Sequence, residues 1–222
     1  LWKRKYLIIF ITLISALISV YIALSIPNKY TSGALLSPAN EDNSLASKLG
    51  AYSSLAGIAG ISLPGDNANP SKVAIERIKS FDFFSNHFLP FINLENLHAI
   101  DSWEPEVNKI FYDEDIYDVI NDKWVREVSY PKKTIPSSQE SYEIYREIMT
   151  ISEDRKTSFV SITITHQSAF IAKKWLDIII KNINESMRKE DKLIAQNAID
   201  FLNRTSKEIN TKEIQDSIAH LL

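Results

Sequence analysis

The sequence predicts an α+β protein with three successive parts: an N-terminal transmembrane helix, a membrane-proximal α/β base domain and a very long protruding C-terminal helix. Residues 7–26 form an apolar run without any charge. Residues 157–165 alternate with the period of two that is typical of a strand. Residues 168–222 follow a helical period. The predicted boundaries are 1–6 for the N-terminus, 7–26 for the span, 27–166 for the base and 167–222 for the long helix.

The apolar run LIIFITLISALISVYIALSI spans Leu7 to Ile26. At about 1.5 Å of rise per residue it would reach about 30 Å as a helix, the thickness of the hydrocarbon core of a bilayer. Lys3, Arg4 and Lys5 precede it, whereas only Lys29 follows closely. This asymmetry predicts a cytoplasmic N-terminus and a single span of the inner membrane, with everything after Pro27 in the periplasm.

An uncleaved anchor has two alternatives. A cleaved signal peptide has a shorter apolar core and a small-x-small cleavage site, and no convincing site follows this run. A buried helix of a soluble domain is rarely apolar on all sides over such a length. The sequence begins with Leu1 rather than Met, so we expect a few residues to precede it.

Composition excludes some functions. The chain has no cysteine, which rules out disulfides and thiolate metal sites. Its net charge of −3 gives no basis for nucleic-acid binding, which depends on a basic surface.

The first part of the base contains most of the turn-forming residues. Lys29–Leu36 is predicted to be a strand. The small-residue stretch Leu45–Leu63 is predicted to be a mobile or helical surface segment, either folded over the core or in contact with lipid or a neighbouring subunit. A helix is predicted to start at Asn69-Pro70, with Asn69 as its cap, and to end at Pro90. The phenylalanines of this region are predicted to be core residues: Phe81, Phe83, Phe84, Phe88 and Phe91.

The second part of the base is predicted to contain a polar stretch, a helix and a strand. Residues 99–140 are polar, and the acidic run Asp113–Asp115 within them is interpreted as a solvated turn, with a cation site as the alternative. Glu140–Ile151 is predicted to be an amphipathic helix. The strand Thr157–Thr165 is predicted to bury Val160, Ile162 and Ile164 on one face.

Residues 137–222 contain neither glycine nor proline. Within them Ile171, Trp175, Ile179 and Ile183 step by four, which predicts helix packing or a subunit interface. A helix from Ser168 to Leu222 would be about 80 Å long. Such a helix exceeds the diameter of this domain, so its thin apolar stripe must be buried on a returning helix or on other copies of the chain.

No arrangement of residues points to catalysis. The four histidines are scattered singly: His87, His98, His166 and His220. No pair of them has the spacing of metal ligands, and no nucleophile motif or glycine-rich phosphate loop is present. We therefore predict a protein that is not an enzyme and has no cofactor, metal or catalytic residue.

Several segments, in this order, resemble the Wzz-type polysaccharide co-polymerases, the bacterial chain length determinant family. The segment leaving the membrane is Ile26–Ser32, the Leu/Ala/Gly stretch is Ser54–Ile61, and the first periplasmic helix contains Ala74–Ser80. The longest match includes Ile151–Thr157, Ala172–Asp177, Asn182–Asn184 and Met187-Arg188. Ala198–Leu202 resembles the continuing helix.

The resemblance implies an inner-membrane protein whose periplasmic domains assemble into a ring of about eight identical subunits. Such a ring works with a Wzy-type polymerase on a lipid-linked glycan and sets the modal length of lipopolysaccharide O-antigen or a related surface glycan. The family ends with a proline-rich segment and a second span, which do not follow here, so the chain is expected to be part of a longer protein.

Three other functions remain as alternatives. One is the periplasmic region of an exopolysaccharide co-polymerase linked to a tyrosine kinase, which the missing C-terminal sequence would reveal. Another is a membrane-anchored sensor domain, which the predicted strand fits less well. The third is an envelope hydrolase, for which no nucleophile or metal ligands can be named.

Overall fold

The computed structural model describes residues 5–25, 27–37 and 70–208. These residues form the predicted mixture of helices and strands, with a long helix toward the C-terminus. Five features named above lie outside the described residues: Lys3, Arg4, the segment Leu45–Leu63, the cap Asn69 and residues 209–222.

The helices are α1 (Lys5–Ser25), α2 (Pro70–Lys79), α3 (Phe81–Phe83), a π-helical turn (Phe84–Phe88), a 3₁₀ turn (Leu89–Phe91), α4 (Glu95–His98), α5 (Ser138–Ile148) and α6 (Ala169–Glu208). The strands are β1 (Tyr30–Leu36), β2 (Ile100–Glu104), β3 (Lys109–Tyr112), β4 (Tyr117–Asp118), β5 (Lys123–Trp124), β6 (Met149–Glu153) and β7 (Val160–His166).

Helix α1 begins at Lys5 and covers nearly all of the predicted apolar run. Its large apolar side chains point outward: Phe10 and Leu17 are each 64% exposed. Across the part of the chain that the structure describes, no helix combines the length and apolarity needed to cross a membrane. The predicted span over residues 7–26 therefore stays a prediction.

A three-stranded antiparallel sheet organises the base, in the order β1-β7-β6. In its register Tyr30 lies opposite His166 and Leu36 lies opposite Val160. The strand predicted over Lys29–Leu36 is confirmed as β1. Because β7 runs antiparallel to β1, the residues where the chain arrives from α1 lie at the same end of the sheet as the start of α6.

The central strand β7 has the predicted alternation. Val160, Ile162 and Ile164 are buried, and the residues between them are partly exposed. The strand starts at Val160 rather than at Thr157, because the preceding residues form a turn. In that turn the Asp154 carboxylate accepts hydrogen bonds from the backbone N–H groups of Lys156 (2.7 Å) and Thr157 (3.2 Å).

The helix predicted over Glu140–Ile151 is wrong at its C-terminal end. Helix α5 stops at Ile148, and Met149–Glu153 form β6. Met149 pairs with Ile164 of β7, so a ladder with the central strand replaces the last helical turn. At its N-terminus α5 has a capping box, in which the Ser137 hydroxyl and the Glu140 side chain each accept the other residue's backbone N–H.

The phenylalanine region is less regular than predicted. Helix α2 starts at Pro70, as predicted, but ends at Lys79. Ser80 then caps the N-terminus of α3, because its hydroxyl accepts the Phe83 N–H at 3.1 Å. Pro90 lies inside the final 3₁₀ turn. Three of the five phenylalanines are fully buried: Phe83, Phe84 and Phe88. The core prediction is wrong for the other two, because Phe81 is 38% and Phe91 54% exposed.

The predicted polar stretch contains two small antiparallel hairpins, β2–β3 and β4–β5. The turns that close them place Asn108 (φ 49°) and Asp122 (φ 52°) in the left-handed region, which asparagine and aspartate tolerate better than most residues. The acidic run Asp113–Asp115 lies in a turn, as predicted, and the Asp113 carboxylate accepts the Asp115 N–H at 2.9 Å.

Helix α6 is 40 residues long over its described part, which corresponds to about 60 Å. Ser168 caps its start: the Ser168 carbonyl accepts the Ala172 N–H at 3.0 Å, and its hydroxyl accepts the Ile171 N–H at 3.4 Å. The first half of α6 packs on β1, β7 and the phenylalanine region. In the second half, Glu190 pairs with Arg77 of α2, and Leu193 lies beside this pair.

This packing predicts a large difference between two isoleucines of the same helix. Ile179 is fully buried, whereas Ile199 is 42% exposed. We expect Ile179→Ala to lower the free energy of unfolding by about 2–5 kcal/mol, because it leaves a cavity in the core. The control Ile199→Ala is expected to cost less than about 1 kcal/mol. Urea unfolding of the detergent-solubilised protein, followed by circular dichroism, measures both; equal costs would contradict the core described above.

Candidate functional site

The four α6 residues predicted for packing lie in the core of this chain. Ile171 is 8%, Trp175 2%, Ile179 0% and Ile183 3% exposed. They belong to one cluster with the buried residues of β7 and of the phenylalanine region. Their side chains therefore fix α6 on its own base and leave little surface for another molecule.

Trp175 is the largest of these anchors. Its ring meets the ring of Phe88 edge-on, with 5.8 Å between centroids, and the His166 ring lies 4.7 Å away. Such edge-to-face pairs contribute about 0.5–1.5 kcal/mol beyond the burial of their area. Trp175 therefore links α6 to the π-helical turn and to the end of β7.

His166 holds the junction between β7 and α6. Its Nε2 lies 2.9 Å from the Asn96 carbonyl, and its Nδ1 accepts the Ser168 N–H at 2.9 Å. Nε2 must therefore carry the proton. Burial lowers the pKa of His166, although the nearby backbone carbonyls of Asn96 and Ser168, the latter 3.3 Å from Nδ1, oppose the shift. The imidazole is thus neutral near pH 7 and acts as a structural bridge.

A second buried network joins α4, the segment after β5 and the start of α5. The Ser141 hydroxyl donates its hydrogen to the Ser137 carbonyl at 2.9 Å. The Ser141 oxygen must therefore accept in its 2.9 Å contact with His98, and His98 Nε2 is the donor. Burial, together with the nearby charge of Arg126, lowers the pKa of His98 to about 4. Like His166, His98 is neutral at physiological pH and has both a fixed tautomer and a fixed position.

Arg126 and Glu140 form the charged part of this network. The guanidinium binds both carboxylate oxygens, at 3.1 and 3.2 Å, and also donates to the carbonyls of Lys133 and Thr134. Both side chains are less than a fifth exposed. The hydrogen bond from Arg126, followed by that from the Ser137 N–H, lowers the pKa of Glu140 to about 2. This ion pair fixes the loop between β5 and α5.

An aromatic corner lies at the end of the sheet where the chain arrives from α1. The Tyr30 and Trp103 rings meet edge-on at 5.1 Å between centroids, and Trp103 meets Phe170 at 6.2 Å. Trp103 Nε1 donates to Asn108 Oδ1 at 2.9 Å within the β2–β3 hairpin. Three elements that are distant in sequence, β1, β2 and α6, therefore meet at this corner.

The apolar side chains that α6 exposes differ from those predicted for packing. Phe170 and Leu193 are each 61% exposed, and Ile199 is 42% exposed. Leu193 lies beside Arg77, which is paired with Glu190 and also donates to Ser186 Oγ at 3.2 Å. Exposed apolar surface thus continues along α6 beyond the base.

Among the described residues, no group of histidine, aspartate or glutamate has the arrangement of a metal site. His98 and His166 are neutral and hydrogen-bonded, as described above. His87 stacks on Phe83 at 5.4 Å, and His220 lies outside the described residues. The side chains described in this subsection pack in the core, cap helices or lie exposed on the surface.

The sequence reasoning missed the Arg126–Glu140 pair and the aromatic corner. For Glu140 a signal was present, because Ser137-x-x-Glu140 is a capping box pattern. For Trp103 the neighbouring Pro105 and Asn108 indicate a turn, but nothing local indicates that its ring meets Tyr30 and Phe170.

A sequence model of the protein family described as Wzz, chain length determinant protein, matches residues 1–87. Neither the comparison with curated proteins nor that with solved structures found a match. The resemblance to the chain length determinant family is thereby confirmed over residues 1–87, a region that includes α1, β1, α2 and α3. Proteins of this family are regulators of chain length rather than enzymes.

The ion pair predicts a pH-dependent contribution to stability. Glu140→Gln is expected to lower the free energy of unfolding by about 1–2 kcal/mol at pH 7, because Arg126 loses a charged partner. The folded-state pKa of Glu140 lies below its value in the unfolded chain, so the contribution is complete above about pH 5 and disappears as the pH falls toward about 2.

The matched control is Glu147→Gln, an exposed carboxylate on the same helix, with an expected effect below about 0.5 kcal/mol at every pH. Urea unfolding at a series of pH values gives both curves. A Glu140→Gln cost that stays constant between pH 7 and pH 3 would contradict the assignment.

Proposed function

We propose that this protein is a polysaccharide co-polymerase that regulates the modal chain length of lipopolysaccharide O-antigen or a related surface glycan. In this proposal it acts as an oligomeric periplasmic scaffold beside a Wzy-type polymerase. The observation that carries the proposal is the match of residues 1–87 to the chain length determinant family.

The N-terminal helix supports anchoring in the inner membrane. Residues 7–26 carry no charge, and α1 exposes its described large apolar side chains, which would need a partner in water. The basic residues Lys3, Arg4 and Lys5 precede the apolar run 7–26, which by the positive-inside rule supports a cytoplasmic N-terminus and a periplasmic base.

The two halves of α6 support the scaffold role. The first half is held by Trp175, Ile179 and Ile183 in the core of the base. The second half carries Leu193 and Ile199 with much of their surface exposed. An isolated helix is marginally stable in water and draws most of its stability from packing. Neighbouring copies of α6 would supply that packing, as in a ring of about eight subunits.

In the proposed mechanism this protein acts only as a scaffold and contributes no catalytic group. A ring of base domains surrounds or adjoins the polymerase and the growing lipid-linked glycan. The size and flexibility of the ring then influence when elongation stops. The polymerase makes the bonds, and the scaffold changes only the distribution of lengths.

Deletion of the gene tests this function in a host that makes a long surface glycan. We expect polymer synthesis to continue while the modal length is lost, because a regulator shifts the distribution without making bonds. Gel electrophoresis of the extracted glycan shows the length ladder. Loss of all polymer would contradict the proposal and would favour a polymerising or exporting role.

Complementation separates the anchor from the base. The full gene should restore the modal length. A version that lacks residues 1–26 and is exported by a cleavable signal peptide should leave the ladder random, because the base is no longer held at the membrane. Restoration by this second version would contradict the membrane anchor.

A further inference from the structure

The β2–β3 hairpin lies at the end of the sheet that receives the chain from α1. Tyr30 starts β1 opposite His166 at the end of β7, and Gln167 donates from Nε2 to the Ile100 carbonyl of β2 at 3.3 Å. Only residues 26–29 separate α1 from β1. From Ser25, the last residue of α1, to Tyr30 there are five residue steps, which span at most about 17 Å when fully extended. Tyr30 therefore stays close to the end of α1.

The aromatic corner ties the hairpin to this end. Trp103 contacts the rings of both Tyr30 and Phe170. Trp103 pairs with Ile110 across the hairpin, and Ile110 packs against the core. This inner face of the hairpin is therefore fixed, and the outer face turns away from the base.

The outer face and the tip carry exposed apolar groups. Phe111 is 39% exposed, and the Lys109 ammonium lies 4.9 Å above its ring. Val107, at the tip, is 64% exposed, and Phe170 of α6 is 61% exposed beside Trp103. Phenylalanines with lysines close by are a combination found in segments that lie at the membrane interface.

We propose that Val107, Phe111 and Phe170 form a lipid-contact surface that rests on the headgroups of the membrane in which α1 is anchored. This inference rests on the membrane anchor of the proposed function. The surface lies within the reach of the short α1–β1 connection, so an anchored α1 brings it to the bilayer. The contact would set the tilt of the base and of the long helix relative to the membrane.

The charges around this surface indicate which lipid chemistry it fits. Three acidic residues lie on the hairpin: Asp101, Glu104 and Glu106. Four lysines lie on the hairpin or on the neighbouring segments: Lys29, Lys109, Lys173 and Lys174. The signs are nearly balanced, so attraction to anionic lipid is weak and the apolar groups dominate. Zwitterionic headgroups are therefore sufficient, and the contact should be insensitive to salt.

The absence of cysteine from the sequence allows a clean test with single-cysteine variants. Val107→Cys reports on the surface. Arg155→Cys is the matched control, because it lies in the exposed turn at the opposite end of the sheet, about 20 Å away. Leu17→Cys reports on α1. Each variant is labelled with an environment-sensitive fluorophore and reconstituted, as the full chain, into phosphatidylcholine vesicles that contain a lipid with a shallow nitroxide quencher.

We expect quenching at Val107→Cys to exceed that at Arg155→Cys about threefold, because an interfacial contact lies within about 5–10 Å of the headgroups. Raising the salt from about 0.05 to about 0.5 M should not change this ratio. Equal quenching at both positions, with Leu17→Cys quenched, would overturn the lipid contact and leave the anchor intact. An unquenched Leu17→Cys would overturn the anchor itself.

Discussion

The structure depends on the docking of α6 across the antiparallel sheet. Trp175, Ile179 and Ile183 fill the space between the sheet and the phenylalanine region, and all are at most 3% exposed. Because β7 leads into α6 through the buried pair His166 and Ser168, the helix has one direction in which it can leave the sheet. The orientation of the long helix is thereby fixed by the base, and everything that α6 carries farther along is positioned by this one junction.

The elements with a strong local pattern could be predicted from the sequence, and those that depend on distant contacts could not. The alternation of Val160, Ile162 and Ile164 identified β7, and the step of four through Trp175 identified α6. The pairing of β1 with β7 joins residues such as Thr31 and Thr165, which are 134 positions apart, and no local pattern encodes it. Similarly, Met149 has the propensity of a helix residue but is captured by the ladder with β7, a case in which tertiary pairing overrides local preference.

The candidate site likewise has features that a local sequence pattern predicts and features that depend on distant contacts. The apolar stripe of α6 was visible in the sequence, whereas its burial within its own chain required the structure. The neutral states of His98 and His166 follow from burial, which a sequence does not report. Together with the Arg126–Glu140 pair, these groups hold the elements of the base in one arrangement, which suits the scaffold role proposed above.

We propose that the second half of α6 packs against other copies of the chain, and the number of copies in the assembly tests this proposal. The most direct measurement is the mass of the protein extracted in mild detergent, determined by native mass spectrometry or by light scattering corrected for detergent. We expect one closed assembly with a mass several times that of a single subunit and with a fixed number of copies. A stable monomer at micromolar concentration, with α6 still helical, would contradict it.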